Sequence, residues 1–272
     1  MRISSRAAIF FSVLAVISGA HATDITDAVP GHPGVTYEML LKQIMPDLAG
    51  DKDGHWTGTA AKLRGTDGKP GVDTPLVFGD ISVLTVKEDS RKRLLLLTGD
   101  SQSDSGFDAV LAAFDDTGPR LKLLDAMDVG GDRFVMFGSP PLLEIAPGTD
   151  AFIANSNHFN SNQNYTDETI LYLEGGKLHV ALSQFTLNQG MCGYEMRQNP
   201  VYKVRDDKGA KYRAIVVSVT QVTTHTDEEC DEGTVLPKAG SHTYTNVFHW
   251  DPKTNAYVTH TNQMRHLMSP DQ

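Results

Sequence analysis

Cysteine is nearly absent from this chain: its 272 residues include two, Cys192 and Cys230. That excludes a cysteine-ligated zinc cluster and the dense disulfide framework of small secreted domains. Cations are scarce too. Twenty-four Lys and Arg stand against 34 Asp and Glu, a formal charge of −10. Nucleic acid and anionic membrane surfaces both demand a positive field, so neither is expected as a partner. Beyond the first twenty residues no apolar run approaches the ~20 residues a spanning helix needs. None of the ten histidines sits at a local ligand spacing such as i, i+4, so no metal or other cofactor is implied. No run of like charges is long enough to suggest a disordered tail.

What is present begins with a leader. Arg2 and Arg6 precede the apolar run Ala7 to Ile17, and Ala20-His21-Ala22 is a small-x-small cleavage site. Residues 1–22 are therefore expected to be a signal peptide and the mature chain to start at Thr23. Losing Arg2 and Arg6 takes the formal charge from −10 to about −12. The expected product is periplasmic or secreted, with no membrane attachment after cleavage. In an oxidising compartment an even cysteine count predicts a disulfide between Cys192 and Cys230.

Residues 23–272 read as a single β domain, large enough to bury a substantial core. A short helix is predicted first, in VTYEMLLKQIMPDL, where Thr36 caps and Tyr37, Leu40, Leu41 and Ile44 share one face. Strands dominate from Leu76 onward. The same order of events, strand, tight turn, strand, longer polar loop, strand, tight turn, strand, occurs in units at about 81–128, 142–187 and 201–262. The expected fold is all-β, an antiparallel meander of three four-stranded units. It is β-propeller-like in its radial repetition, as either an incomplete ring or a large sandwich.

The tight turns are Glu88-Asp89-Ser90, Asp115 to Gly118, Pro147-Gly148, Gly175-Gly176, Asp206 to Gly209 and Asp251 to Asn255. In a meander they fall at one end. The longer loops, together with the polar connectors Val129 to Pro141 and Asn188 to Pro200, fall at the other. Function gathers on elaborated loops held by a rigid scaffold. Both cysteines belong to the elaborated end, where a bridge closing about forty residues contributes roughly 4 kcal/mol.

Three groups at that end carry candidate chemistry. Asn155-Ser156-Asn157-His158, with Asn160, Asn162, Gln163 and Asn164 behind it, offers amide donors and acceptors and one imidazole. That set suits a sugar-like or peptide ligand. His225 stands beside Asp227, Glu228 and Glu229, a set that could hold a metal ion, with His158 of the neighbouring unit as a further ligand, but that reads first as a solvated acidic loop.

The third is GDSQSDSG, Gly99 to Gly106, directly after the apolar strand Leu94 to Leu97. It resembles the nucleophile block of GDSL-type esterases, in which a strand ends in Gly-Asp-Ser. The resemblance implies Ser101 as nucleophile beside Asp100, FDAVLAAF as the following short helix, and an α/β fold. It also implies an Asp-x-x-His near the C-terminus. No histidine here has Asp at that spacing; the nearest late string is Gln263-Met264-Arg265-His266. A serine without a base is not activated.

The expected function is thus non-enzymatic: an exported protein with an unidentified periplasmic ligand or partner, or a structural role. Its candidate contacts are Asp100, Ser101, Asn155, Asn157, His158 and His225. The alternative is a secreted serine esterase centred on Ser101.

Overall fold

The computed structural model describes residues 24–53, 55–59, 63–66, 75–100, 109–130, 134–228, 230–231 and 233–267. Thr36 caps α1 (Tyr37–Ile44), its Oγ1 accepting from the Met39 N–H. Tyr37, Leu40, Leu41 and Ile44 are buried, as their spacing predicts. Gln43 fastens the helix to the sheet beneath, donating to the Leu121 carbonyl and accepting from the Leu123 N–H.

Fifteen strands follow among the described residues. The first seven are β1 (Ala49–Gly50), β2 (Trp56–Thr59), β3 (Arg64–Gly65), β4 (Pro75–Glu88), β5 (Arg91–Asp100), β6 (Ala109–Asp115) and β7 (Lys122–Asp128). Then come β8 (Phe134–Ala146), β9 (Thr149–Phe159), β10 (Gln163–Glu174), β11 (Lys177–Met191), β12 (Tyr194–Arg205), β13 (Ala214–His225), β14 (Gly240–Asp251) and β15 (Ala256–Thr259). The all-β expectation holds. β4 to β7 pair in chain order, with β3 beyond β7. β1 and β2 adjoin the start of β4, where a bulge between Phe78 and Ile81 breaks the ladder. β8 to β15 form one eight-stranded meander. Among the described residues no sheet closes.

The apolar runs explain the layering. In β5 and β6, Leu94, Leu96, Val110, Ala112 and Phe114 pack with α1. The alternate residues Leu95, Leu97, Leu111 and Ala113 meet Phe152, Ala154, Leu171 and Leu173 of β9 and β10. On the other face of β9 and β10, Ile153, Ile170 and Tyr172 pack on Tyr202, Ile215, Val217 and Trp250. Strands buried on both faces need continuous apolar sequence, and period 2 sorts the residues between two cores. The order is helix, first sheet, β8–β11, then β12–β15 folded back. Each fully buried Leu or Phe contributes roughly 1.5–3 kcal/mol.

Three expectations give way here. The propeller-like ring does not form. β11 pairs β12 at Gln189↔Met196, Gly190↔Glu195 and Met191↔Tyr194, so the second and third units share one sheet instead of standing as separate blades. The connector Asn188 to Pro200 is a hairpin turning at Cys192-Gly193. Its polar residues continue the strands because their amides bond backbone: Gln198 Oε1 accepts from the Leu187 N–H, and Asn188 Oδ1 from the Gln198 N–H. Within FDAVLAAF, Ala109 to Phe114 is strand, not helix, because both of its faces are covered. The connector Val129 to Pro141 shrinks likewise, since β8 begins at Phe134. β8 is an edge strand, where Pro140 and Pro141 are tolerated.

The tight turns weld the first sheet to the second. Asp89 and Ser90 have positive φ (48° and 65°), as do Gly175 and Gly176 (60° and 75°), the backbone that two-residue hairpins favour. The Ser90 N–H donates to the Gly148 carbonyl at 2.7 Å. Glu88, 1% exposed, accepts from the Gly176 N–H at 2.6 Å and from Arg93 Nε at 2.8 Å. Arg93 also reaches Asp115. Asp125 accepts from the Leu178 N–H and from Arg64.

Candidate functional site

The far end of β9, β10 and β11 carries the amides. Residues opposite one another in a ladder share a face. Ile153, Ile170 and Leu182 form an apolar row that belongs to the core between the two halves of the large sheet. Two residues further out, Asn155 faces Glu168, which faces Gln184. The next row is Asn157, Thr166 and Thr186, and the last is Phe159, Asn164 and Asn188. One face of the sheet therefore changes from hydrocarbon to amide and hydroxyl within three steps of the ladder.

The turn joining β9 to β10 is shorter than the expected loop. His158 and Phe159 end β9, Gln163 starts β10, and the turn is Asn160 to Asn162. Asn160 Oδ1 accepts from the backbone N–H groups of Asn162 and Gln163, and the Asn160 N–H donates to the Gln163 carbonyl. Such side-chain turns let a polar sequence stay in register. The Gly190 N–H donates to the Asn162 carbonyl, bringing the end of β11 against the turn.

These elements surround an open groove of about 300 Å³. Asn160, Asn162, Gln163, Asn164, Asn188 and Gln189 line it, together with Phe159, Glu195 and Arg197. The Phe159 residue is 57% exposed. Glu195 and Arg197 pair with each other at 3.3 Å, leaving the groove without net charge. Several amides are already committed: Gln163 Nε2 donates to Gln189 Oε1, whose Nε2 donates to the Tyr194 hydroxyl. Three asparagine acceptors on this face are not, and of these Asn164 lines the groove while Asn155 and Asn157 lie further in. The Oδ1 atoms of Asn155, Asn157 and Asn164 are buried without a hydrogen-bond donor. A buried acceptor left without a donor costs roughly 1–3 kcal/mol, so three along one face mark a place where a donor is missing.

Deeper in, Glu168 is 7% exposed and accepts from the Tyr202 hydroxyl at 2.5 Å. Burial pushes its carboxyl above the ordinary range, and the Tyr202 hydrogen bond only partly offsets that. Tyr202 is pushed up too, first by burial and then by the adjacent Glu168.

The structure brings some of the expected residues together and separates others. Asn155 and Asn157 lie on strand β9 and share the face of the amide rows. His158 alternates to the opposite face, where its ring meets Tyr165 edge-on at 6.1 Å. His225 ends β13, with Nε2 2.9 Å from the Pro237 carbonyl. Among the described residues no three His, Cys, Asp or Glu side chains are grouped to hold a metal ion. Asp100 is the last residue of β5; its side chain and the whole of Ser101 lie outside the described residues, as does the leader 1–22. Cys192 and Cys230 are joined, their Cα atoms 5.6 Å apart, tying the β11–β12 turn beside the groove to the loop after β13.

Sequence reasoning did not single out Glu168, Gln184, Gln198 or Asn188. Their signal was phase: Glu168 stands two residues from Ile170 and four from Tyr172, on the core-facing side of its strand.

In comparisons with known proteins, no family model matches the chain, and no curated protein or solved structure matches it either.

Proposed function

We propose that this is an exported, non-catalytic protein that binds a polar ligand in the asparagine-lined groove at the open end of β9, β10 and β11. The observation that carries the reading is a groove lined by amides, with the donor-less Oδ1 of Asn164 in its wall and those of Asn155 and Asn157 further in along the same strand face. Pockets of this kind fix a ligand through a few convergent polar groups held on rigid strands. Export is supported by the leader-like residues 1–22 and by the Cys192–Cys230 bridge, which suits an oxidising compartment. The alternative centred on Ser101 gains nothing here, because the α/β fold it implies differs from the sheets observed, which are antiparallel but for the two-residue β3–β7 pairing.

The test is a set of amide NMR spectra. The small-molecule fraction of an export-compartment extract is added to the protein and to its Asn164→Leu variant. The reading expects shifts of the Asn162, Asn164 and Asn188 side-chain amides that the variant loses. An extract that moves none of them contradicts it.

A further inference from the structure

We infer that Glu168 is a pH-operated latch between the two halves of the large sheet, fastened when its carboxyl carries a proton and released when it does not.

The latch sits where the halves meet. Glu168 is on β10, 7% exposed, on the face whose Ile170 packs with Tyr202, Val217 and Val219 of the folded-back strands. Its Oε2 accepts from the hydroxyl of Tyr202 on β12 at 2.5 Å, and Tyr202 is itself 7% exposed. Opposite Glu168 on β9 stands Asn155, whose Oδ1 is buried without a donor. Residues directly opposite one another in a ladder hold their Cβ atoms about 5 Å apart. A protonated Glu168 supplies the one donor this trio lacks. Tyr202 then donates to Glu168 and Glu168 to Asn155, so three strands share a complete hydrogen-bonded chain. Loss of the proton leaves a carboxylate beside an amide oxygen, two buried acceptors served by one hydroxyl.

Nothing nearby neutralises that carboxylate. On its own strand the adjacent charge is Asp167, which repels it. Across the ladder, Asn155 and Gln184 are uncharged amides. From the facing half, β12 brings the Tyr202 hydroxyl, which burial keeps protonated. β14 brings His242 and Tyr244, and the segment after β15 brings His266, three rings stacked on one another. Among the described residues only Tyr202 hydrogen-bonds the Glu168 side chain. Burial first, and Asp167 after it, push the carboxyl above its ordinary range against the pull of Tyr202.

The released state has room to form. Gln184, the partner of Glu168 on β11, lines a cavity of about 500 Å³ bounded also by β14 and the chain after β15. β11 pairs β12 only over Gln189 to Met191, so no ladder ties the Gln184 stretch to the facing half. Water entering this cavity reaches the carboxylate once Gln184 moves aside. A raised folded value means that the closed joint is favoured below the ordinary carboxylate value of about 4.3 and is lost as pH rises through the folded one.

Hydrogen exchange of the β10 and β12 amides, corrected for intrinsic rates at each pH, tests the latch. Protection should fall by about tenfold for each pH unit between about 4.3 and the folded value and then level off, while the β4–β7 amides keep theirs. Glu168→Gln, a permanent donor, should retain at neutral pH the protection that the native protein has in acid. Asp167→Asn should leave the fall in place. Carbon-13 NMR of the Glu168 carboxyl follows the same proton in the unaltered protein. A midpoint at or below about 4.3 overturns the latch. So does a fall that persists in Glu168→Gln or vanishes in Asp167→Asn, or an equal loss of protection in β4–β7.

Discussion

Replacing Glu168 with Gln should make the protein more stable at neutral pH, by an amount that disappears in acid. Glu168 is 7% exposed, and burial raises its carboxyl above the unfolded value of about 4.3. The folded state therefore holds this proton to higher pH than the unfolded state does. Stability falls as pH rises from about 4.3 through the folded value, because over that window the native chain binds more protons. The substituted glutamine has no charge to desolvate. Its Oε1 retains the Tyr202 hydroxyl, and its Nε2 brings a donor beside Asn155, whose Oδ1 has none. In acid the protonated Glu168 carboxyl offers Asn155 an equivalent donor, so the advantage is confined to the ionised state, where relief of the buried carboxylate and the amide hydrogen bond it lacks are each worth about 1 kcal/mol net and the gain is about 1–2 kcal/mol at pH 7. Urea denaturation of both proteins from about pH 4 to pH 8 measures it. The curves should converge near the acid end and separate as pH rises. A variant that is less stable at neutral pH, or an offset that is the same at every pH, would refute the reasoning by showing that the carboxylate helps the fold.

Other perturbations probe the scaffold. Gly148→Ala should cost about 2 kcal/mol in thermal melts, because φ there is +72° and a Cβ would collide with the Ser90 side chain. Removing the Cys192–Cys230 bridge, which spans 38 residues, should cost about 4 kcal/mol in urea melts while leaving the β4–β7 amides protected from hydrogen exchange. Burial pushes the Asp125 carboxyl up, but the Arg64 guanidinium, the Leu178 N–H and Lys177 together hold it below the usual carboxylate range. Its contribution is present above the unfolded value of about 3.9 and lost as pH falls through the lower folded value. Asp125→Asn should accordingly cost about 2 kcal/mol at neutral pH, and the cost should vanish in strong acid; the same urea series measures both.

Much of the fold was legible in the chain because period and turn chemistry are local. Thr36 and the Tyr37, Leu40, Leu41, Ile44 stripe define α1 without tertiary help. Asp89-Ser90, Pro147-Gly148 and Gly175-Gly176 mark hairpins wherever they occur. The grouping of strands into sheets was not legible, because it depends on whether β11 meets β12 or leaves it. Three ladder pairs decide that, and they mix Gln189 and Glu195 with two Met, one Gly and one Tyr, a set with no strand period of its own. Polar strands also misled at the candidate site. Asn188, Gln189 and Gln198 read as loop by composition, yet their side chains bond neighbouring backbone and side-chain groups and keep the ladder going. Asn155, Asn157 and His158 were visible as a chemical cluster. That His158 faces away from the two asparagines follows from strand alternation, which became certain only once β9 was seen to run on to Phe159.

The measurement closest to the central claim is the response of the Asn164 side-chain amide when the small-molecule fraction of an export-compartment extract is titrated into the protein. The account predicts a saturable shift of that resonance, shared with Asn162 and Asn188. Resonances of Asn162, Asn164 and Asn188 that stay unmoved would contradict it.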